Sequence, residues 1–403
     1  MNNKNIAMKL TEQIQLKKTP QLSYLCHLSK NLYNLATYYV RQEFFYLGNW
    51  LRYSDLWHML KDKDIYKKLP SQTAQQTLKM VDRAWKSFFK SVRDWKEHSK
   101  KYFGCPRPPK YKKKKGEYTI TFTNQQCRIK EGRLHFPKKV AMPPIKTRLK
   151  NSLRCVRIIP KGIYYILEIV YEKIGENLNL DKKRVVGIDL GLINIVTVVN
   201  NAGLKPFVVK GGVVKSINQF YNKQLAKYKS IKAKQGYEFE TKKLLTFTRK
   251  RNNKINDAFH KISRNVINYC VENNFGTIVL GYNKTWKQNI KIGHINNQNF
   301  VQVPFLKLLK QIQYKSELVG IDVIKEKESF TSKCSFLDGE TVLRRRHYAG
   351  TRFTRGLFKT KSGVIINADV NAGYNIIKKA VPNAVSADGI EGVGLHPYSI
   401  AIS

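Results

Sequence analysis

The sequence predicts a multidomain α+β protein whose C-terminal half contains a mixed β-sheet. Apolar residues recur at helical spacing over residues 22–92 and alternate with polar ones over residues 118–171; further along, strands alternate with helices. With 403 residues, the chain exceeds the size at which one hydrophobic core stops growing, so two to four domains are expected.

The charge of the chain predicts a nucleic-acid partner. Its 74 Lys and Arg residues outnumber its 28 Asp and Glu residues, and a net charge of +46 destabilises a compact fold unless a polyanion offsets it. The basic residues run through nearly the whole chain, which argues against a membrane-binding helix. No apolar stretch reaches the roughly 20 residues that span a bilayer, and residues 1–18 lack the apolar core of a signal peptide, so we expect a cytoplasmic protein.

The N-terminal region predicts two amphipathic helices, one over residues 22–40 and one after Pro70. The aromatic stripe of the second favours a hydrophobic core over a base-stacking surface, while Lys86 and Lys90 on another face are candidates for phosphate contacts. A basic strap follows, defined here as residues 104–115, whose prolines exclude a helix. The strap is either a solvated charge run or an ordered nucleic-acid contact, and we expect contacts from Arg107, Lys110, Tyr111, Lys112 and Lys113.

The alternation over residues 118–171 predicts short strands in a small β-barrel or sandwich. Beyond it we expect strands at 185–190, 195–199, 206–209, 277–280 and 321–327, and helices at about 213–272 (two), 304–319 and from Asp369 onward. This order, three strands and then helices alternating with strands, is that of the RNase H-like fold.

Two aspartates occupy unusual positions in this order. Asp189 interrupts an apolar strand, where a buried carboxylate costs several kcal/mol unless a metal or a partner compensates it. Backbone donors in the turn at Gly191 are the alternative partners. Asp369 begins the last helix, where a simple N-cap is the alternative to a metal ligand. Hydrolysis of a phosphodiester by two Mg²⁺ ions needs carboxylates of this kind brought together.

The segments around both aspartates resemble the RuvC-like motifs of the TnpB (OrfB) family of insertion-sequence proteins, which is related to type V CRISPR effectors. Those motifs read roughly G-I-D-x-G and D-x-N-A-x-x-N-I, matched here by residues 187–191 and 369–376. Residues 257–263, 281–288 and 328–335 extend the resemblance to nearly the full chain. It implies a bacterial RNA-guided DNA endonuclease with two Mg²⁺ ions, a guide RNA from the transposon end and double-stranded target DNA as partners, and cleavage beside a short DNA motif.

The third carboxylate departs from the family pattern. Most relatives carry a Glu where this chain has Gly281, and residues 281–316 contain no acid. The neighbouring strand should end on the same edge of the sheet, and a family branch with this Gly is similar in carrying a Glu before its Ser-aromatic-Thr-Ser run. Glu328 is therefore expected as the third metal ligand with Asp189 and Asp369, and Glu326 is the second choice. A surface role for Glu328, in an inactive nuclease, is the alternative.

The insertion at residues 331–366 departs from the family as well. Relatives usually carry two C-x-x-C pairs there, but Cys334 is the only Cys in this stretch, so zinc is not expected. Its arginines, with residues of the preceding helix and loop, are candidates for nucleic-acid contact: His260, Lys261, Trp286, Arg345, Arg352 and Arg355. For His260 and Lys261 a helix-surface pair is the alternative, and for Trp286 an anchor of its loop.

The resemblance also implies a division of the chain. The expected parts are 1–20 and 117–180 (a β-barrel or wedge domain), 21–116 (a helical recognition lobe with the strap), 181–330 (a RuvC-like domain), 331–366 (the basic insertion), 367–385 (the last RuvC helix) and 386–403 (a tail). Two other functions are open. Gly281 favours an RNA-guided repressor without nuclease activity, whereas the matched motifs disfavour a transposase that joins DNA itself.

Overall fold

The computed structural model describes residues 7–150, 152–236, 241–283, 293–354, 356–387, 390 and 392–402. The described chain divides into two compact units, an N-terminal one over residues 7–173 and a C-terminal one from residue 174 onward. No helix within these ranges is long and apolar enough to cross a membrane.

The helices of the N-terminal unit bury the apolar stripes that the sequence shows. They are α1 (Pro20–Leu47), α2 (Tyr53–Leu60), α3 (Asp64–Lys67) and α4 (Ser71–Glu97). Thr19 caps α1 by accepting a hydrogen bond from the Leu22 amide, and the helix ends at Gly48, whose φ of 69° a side chain would disfavour. Trp85 of α4 is fully buried, so the aromatic stripe belongs to the core.

The strands of the N-terminal unit form two sheets. They are β1 (Ala7–Lys17), β2 (Ile120–Thr123), β3 (Arg128–Lys130), β4 (Arg133–His135), β5 (Ile145–Lys146), β6 (Leu153–Pro160) and β7 (Tyr164–Ile174). One sheet has the order β1-β7-β6-β2 and the other β3-β4-β5. The sequence left a small barrel or a sandwich open, and the pairing of the described strands gives two separate sheets.

The C-terminal unit contains a six-stranded mixed sheet with the order β12-β11-β8-β9-β10-β16. Its strands are β8 (Asp181–Asp189), β9 (Asn194–Asn200), β10 (Phe207–Lys210), β11 (Phe275–Tyr282), β12 (Asp322–Lys327) and β16 (Tyr398–Ile400). The helices are α5 (Gly212–Lys234), α6 (Lys242–Glu272), α7 (His294–Gln302), α8 (Phe305–Leu318) and α9 (Ala368–Ala380). β8, β11 and β12 run parallel, while β9 is antiparallel to β8 and to β10.

Helices cover both faces of this sheet, which explains its apolar central strands. Val186 and Ile188 of β8 pack in a core with Phe259 of α6 and Leu308 of α8. The alternate residue Val185 packs on the opposite face, in a core with residues of α9. Asp189 has the same parity as Val185 and therefore belongs to the face that α9 covers.

In the C-terminal unit, three features were missing from the prediction or were left undefined by it. α7 precedes α8, and the insertion contains a three-stranded sheet, β13 (Thr351–Thr354), β14 (Leu357–Lys359) and β15 (Ile365–Asn367). The tail adds β16, which pairs in parallel with β10. β13 to β16 have only three or four residues each, too few for a periodic pattern to be recognised.

Gly187 allows α9 to approach β8 closely. A Cβ atom at this position would lie 2.7 Å from the carbonyl oxygen of Gly373 and 2.6 Å from Ile377 Cγ1. Gly187→Ala is expected to push α9 away and to lower the free energy of unfolding by about 1–3 kcal/mol. Calorimetry would measure the loss. Gly212→Ala is the control, since a Cβ there meets no atom within 4 Å; equal stability of the two variants would contradict the close packing.

Candidate active site

The parallel strands of the C-terminal unit bring acidic residues to one edge of the sheet. β8 ends at Asp189, and the register pairs Ile188 with Leu280, so Gly281 follows one step further along β11. Gly281 pairs in turn with Glu326 of β12, and Glu328 lies just beyond the end of that strand. Asp322 begins β12 at the opposite edge, where it pairs with Lys182 (3.1 Å).

Glu328 fills the space that a side chain at position 281 would need. A Cβ atom on Gly281 would lie 2.5 Å from Glu328 Oε1 and 2.9 Å from Glu328 Cγ. Glu326, the second choice, forms an ion pair with Lys379 of α9 (3.1 Å). The geometry therefore favours Glu328 over Glu326 as the residue that reaches toward β8.

Asp369 is not the N-cap of α9. Asn367 caps the helix, with its side-chain oxygen accepting from the amides of Asp369 (3.0 Å) and Val370 (3.2 Å). The Asp369 carboxylate is thus available for other partners: its Oδ2 accepts from Asn194 Nδ2 (2.8 Å) and its Oδ1 from Arg352 Nη2 (3.1 Å). The simple capping alternative does not explain this residue.

One open cavity of about 590 Å³ is lined by all three acids, together with Asn194 and Arg352. Burial raises the pKa of Asp189 well above its usual value, and the negative charges of Glu328 and Asp369 raise it further, whereas Arg352 lowers it. The cavity therefore concentrates negative charge at one end of the sheet, although the protein as a whole is strongly basic.

Sequence reasoning missed Asn194, which begins β9. Its side chain is 95% buried, since 5% remains exposed, and while Nδ2 donates to Asp369, Oδ1 accepts no hydrogen bond within the described part of the chain. An Asn at a strand end gives no distinctive sequence signal, because turns use the same residue for their own hydrogen bonds.

Two buried asparagines of α9 hold the segment that follows Glu328. Asn371 accepts from the Phe336 amide (2.9 Å) and donates to the Cys334 carbonyl (2.9 Å), and Asn375 donates to the Thr331 carbonyl (2.9 Å). The Thr331 hydroxyl donates in turn to the Glu328 carbonyl (2.8 Å). One helix thus carries Asp369 directly and fixes the backbone of Glu328 through Thr331.

The donor set suits Mg²⁺, which prefers hard carboxylate oxygens. In the described ranges, however, no three acidic, His or Cys side chains are close enough together to hold one ion. Arg352 provides a positive charge at Asp369 instead. A divalent ion would have to compete with this guanidinium for the Asp369 carboxylate.

The predicted nucleic-acid contacts differ in their surroundings. Among those in the described ranges, Lys86 pairs with buried Asp82 (2.6 Å), Lys261 pairs with Asp257 (3.5 Å), and the ammonium of Lys112 lies over two neighbouring tyrosine rings. The side chains of the following residues are exposed: Lys90, Arg107, Lys110, Tyr111, Lys113, His260 and Arg345. Trp286 and Arg355 lie outside the described residues.

Comparison with known families gives two matches. Residues 168–287 match the family OrfB_IS605, described as a probable transposase, and residues 305–376 match the Cas12f1-like TNB domain. These matches confirm the resemblance to the TnpB (OrfB) family and to the type V effectors related to it. Comparison with curated protein sequences gives no match.

Comparison with solved structures gives likenesses at low identity. A cryo-EM structure of a Cas12f1–sgRNA–target DNA complex has 14% identity and a TM-score of 0.37, covering 93% of this chain and 99% of that one. A Cas12f ternary complex has 14% identity and a TM-score of 0.35, covering 91% and 81%. The mini-RNA-guided endonuclease CRISPR-Cas_phi3 has 10% identity and a TM-score of 0.44, covering 93% and 92%.

The raised pKa of Asp189 makes stability depend on pH. Between its unfolded pKa, near 3.8, and its higher folded pKa, the folded state binds more protons, so stability falls as pH rises through this window. Without divalent ions, Asp189→Asn should therefore raise the melting temperature at pH 8 by about 2–4 °C, and by less at pH 5. Thermal scans in EDTA would measure this. Asp322→Asn is the control, and an unchanged or lower value for Asp189→Asn at pH 8 would contradict the expectation.

Proposed function

We propose that the chain is an RNA-guided DNA endonuclease with an RNase H-like, RuvC-type site formed by Asp189, Glu328 and Asp369. The single observation that carries the proposal is the meeting of these acids around one cavity, at the ends of β8 and β12 and the start of α9. The strand order of the C-terminal unit supports the RNase H-like assignment. On one side of β8 lie the parallel strands β11 and β12; on the other side β9 is antiparallel to β8, and β10 is antiparallel to β9.

The three carboxylates would hold Mg²⁺. Bound there, two such ions would supply an activated water and stabilise the leaving oxygen of the cut strand. Asn194 orients the Asp369 carboxylate through its hydrogen bond, and the packing of Gly281 leaves the space into which Glu328 extends. Arg352 balances the charge of Asp369 and would have to release this carboxylate if a divalent ion were held there.

The partners are a guide RNA and double-stranded DNA. The net charge of +46 requires a polyanion, and the OrfB match connects the chain with mobile elements. In RNA-guided nucleases, base pairing selects the target while the protein reads shape and a short adjacent motif. We propose the same for this protein: base pairing with the guide selects the target, and the protein reads shape and the short adjacent motif.

A nuclease-inactive repressor of the same family is the second candidate, because Gly281 replaces the acid of most relatives. The position of Glu328 against Gly281 speaks for the active enzyme, since it returns a carboxylate to that place from the neighbouring strand. The two functions differ in whether cleavage occurs once the guide is bound.

Asp189→Ala is expected to abolish cleavage, because it removes the carboxylate at the centre of the site, and to leave guide-dependent DNA binding nearly intact. The purified protein with its co-purified RNA would be assayed on a matched plasmid in Mg²⁺ and in EDTA, with binding followed separately. Asp322→Ala, at the opposite edge of the sheet, should cleave normally. Cleavage by the Asp189 variant would exclude the assignment, and binding without cleavage by the wild type would favour the repressor.

Glu328→Ala is expected to lower cleavage at least about a hundredfold, because it removes a proposed metal ligand and the loss should be no smaller than the roughly 10- to 100-fold that follows removal of a residue that only supports one. Glu326→Ala should retain most activity, because its carboxylate already pairs with Lys379. Single-turnover cleavage of the same plasmid would compare the two. The reverse order of activities would move the third-ligand role to Glu326.

A further inference from the structure

The basic strap is attached to α1 between residues 109 and 114. Asn34 exchanges two hydrogen bonds with the backbone of Lys112 (2.8 and 2.9 Å), Arg41 donates to the Pro109 carbonyl (3.0 Å), and Lys30 donates to the Lys114 carbonyl (2.6 Å). The three α1 residues follow one another at intervals of four and seven, so they share one face of the helix. A solvated charge run has no such attachments.

The attachment involves two lysine ammonium groups, which are costly to bury without a partner. Lys30 is only 3% exposed, burial lowers its pKa, and its ammonium is satisfied by a strap carbonyl. The ammonium of Lys112 lies 4.8 Å from the ring centre of Tyr33 and 4.7 Å from that of Tyr118. The ammonium of Lys112, a residue predicted to contact nucleic acid, therefore faces two rings of its own chain.

The bonds to α1 use the backbone of the strap and leave its other cations exposed. The side chains of Arg107, Lys110, Lys113 and Lys115 are exposed, and the strap contains no acid. Six residue steps separate Arg107 from Lys113, so this part of the strap spans at most roughly 20 Å. Lys115 lies in the turn that follows, in which the Gly116 amide donates to the Lys113 carbonyl (2.9 Å). A row of fixed cations without acids matches the phosphates of an extended chain.

Aromatic rings stand beside this row. Tyr111 is 47% exposed and Phe45 of α1 is 53% exposed, and the Arg41 guanidinium lies 5.5 and 5.0 Å from the two ring centres. Exposed rings beside cations provide stacking faces for unpaired bases, which a duplex keeps inside its stack. The combination favours a single strand over a duplex.

We propose that the strap and the adjoining face of α1 form a preformed binding surface for single-stranded nucleic acid, read through its backbone and by stacking on Tyr111, without sequence preference. The surface rests on the proposed function for its class of partner. Its binding can be measured without cleavage, so the two proposals can fail separately.

The first test replaces the exposed cations. The full-length protein carrying Arg107→Gln, Lys110→Gln, Lys113→Gln and Lys115→Gln would be titrated with a labelled 20-nucleotide single strand of mixed sequence, as RNA and as DNA, at several salt concentrations. The slope of log affinity against log salt should become shallower by about three, since each phosphate contact on a single strand contributes about 0.7. Lys63, Lys68, Lys138 and Lys161, all exposed, are changed to Gln in the control, which should alter the slope by less than about one. Equal changes in both variants would overturn the proposal.

The second test separates stacking and attachment from charge. Tyr111→Ala should weaken single-strand binding about fivefold or more and leave binding of a 20-base-pair duplex unchanged, while Tyr111→Phe should bind normally. Asn34→Ala keeps every strap charge and should weaken single-strand binding about three- to tenfold with an unchanged salt slope, because the strap must then be ordered on binding. Loss of duplex binding alone, or full single-strand affinity in both Ala variants, would contradict a preformed single-strand surface.

Discussion

The close contact between α9 and the central strand β8 is the constraint on which the candidate site depends. Gly187 lets the helix backbone approach, because its missing Cβ leaves the space that Gly373 and Ile377 occupy. From this position α9 presents Asp369 at its first turn and binds the segment after Glu328 through Asn371 and Asn375. The two asparagines therefore hold the backbone near Glu328, an acid that lies more than forty residues earlier in the chain.

The electrostatics of the cavity oppose those of the rest of the chain. The chain has only 28 Asp and Glu residues, and three of them meet at one edge of the sheet. Burial of Asp189 and repulsion by the other two carboxylates raise its pKa. Such a site is destabilised when it is empty of cations and stabilised by any cation that enters. Arg352 neutralises part of this negative charge, at Asp369, and the proposed divalent ions would neutralise the rest. Stability and the proposed function therefore make opposite demands at this edge of the sheet.

The sequence predicted the long elements well and the short ones poorly. The strands of 185–199 and 275–282 and the helices around Phe259 and Leu308 bury wide apolar faces, and burial of this kind leaves a clear period. The strands of the insertion and tail are too short to show one. The pairing of β1 with β7 joins segments about 150 residues apart; no local pattern reveals it, and only the family resemblance placed residues 1–20 and 117–180 in one domain. Which distant strands pair is determined by packing in the folded chain.

Some residues of the candidate site could likewise be predicted from the sequence, and others could not. Asp189 and Asp369 could be selected because each is an acid in an apolar or helix-start context, and Glu328 because parallel strands end on one edge. Asn194 could not, since its role depends on a hydrogen bond to a residue 175 positions away. The contact of Lys112 with two rings was also hidden, because a lysine in a basic run looks the same whether it faces water or a pair of rings.

The contact between Gly281 and Glu328 has an evolutionary consequence. A Cβ atom at 281 would lie 2.5 Å from Glu328 Oε1, so a side chain at 281 and the Glu328 carboxyl need the same space. A side chain introduced at 281 would therefore require the Glu328 side chain to move. Positions 281 and 328 should change together among descendants, even though they are 47 residues apart in the chain.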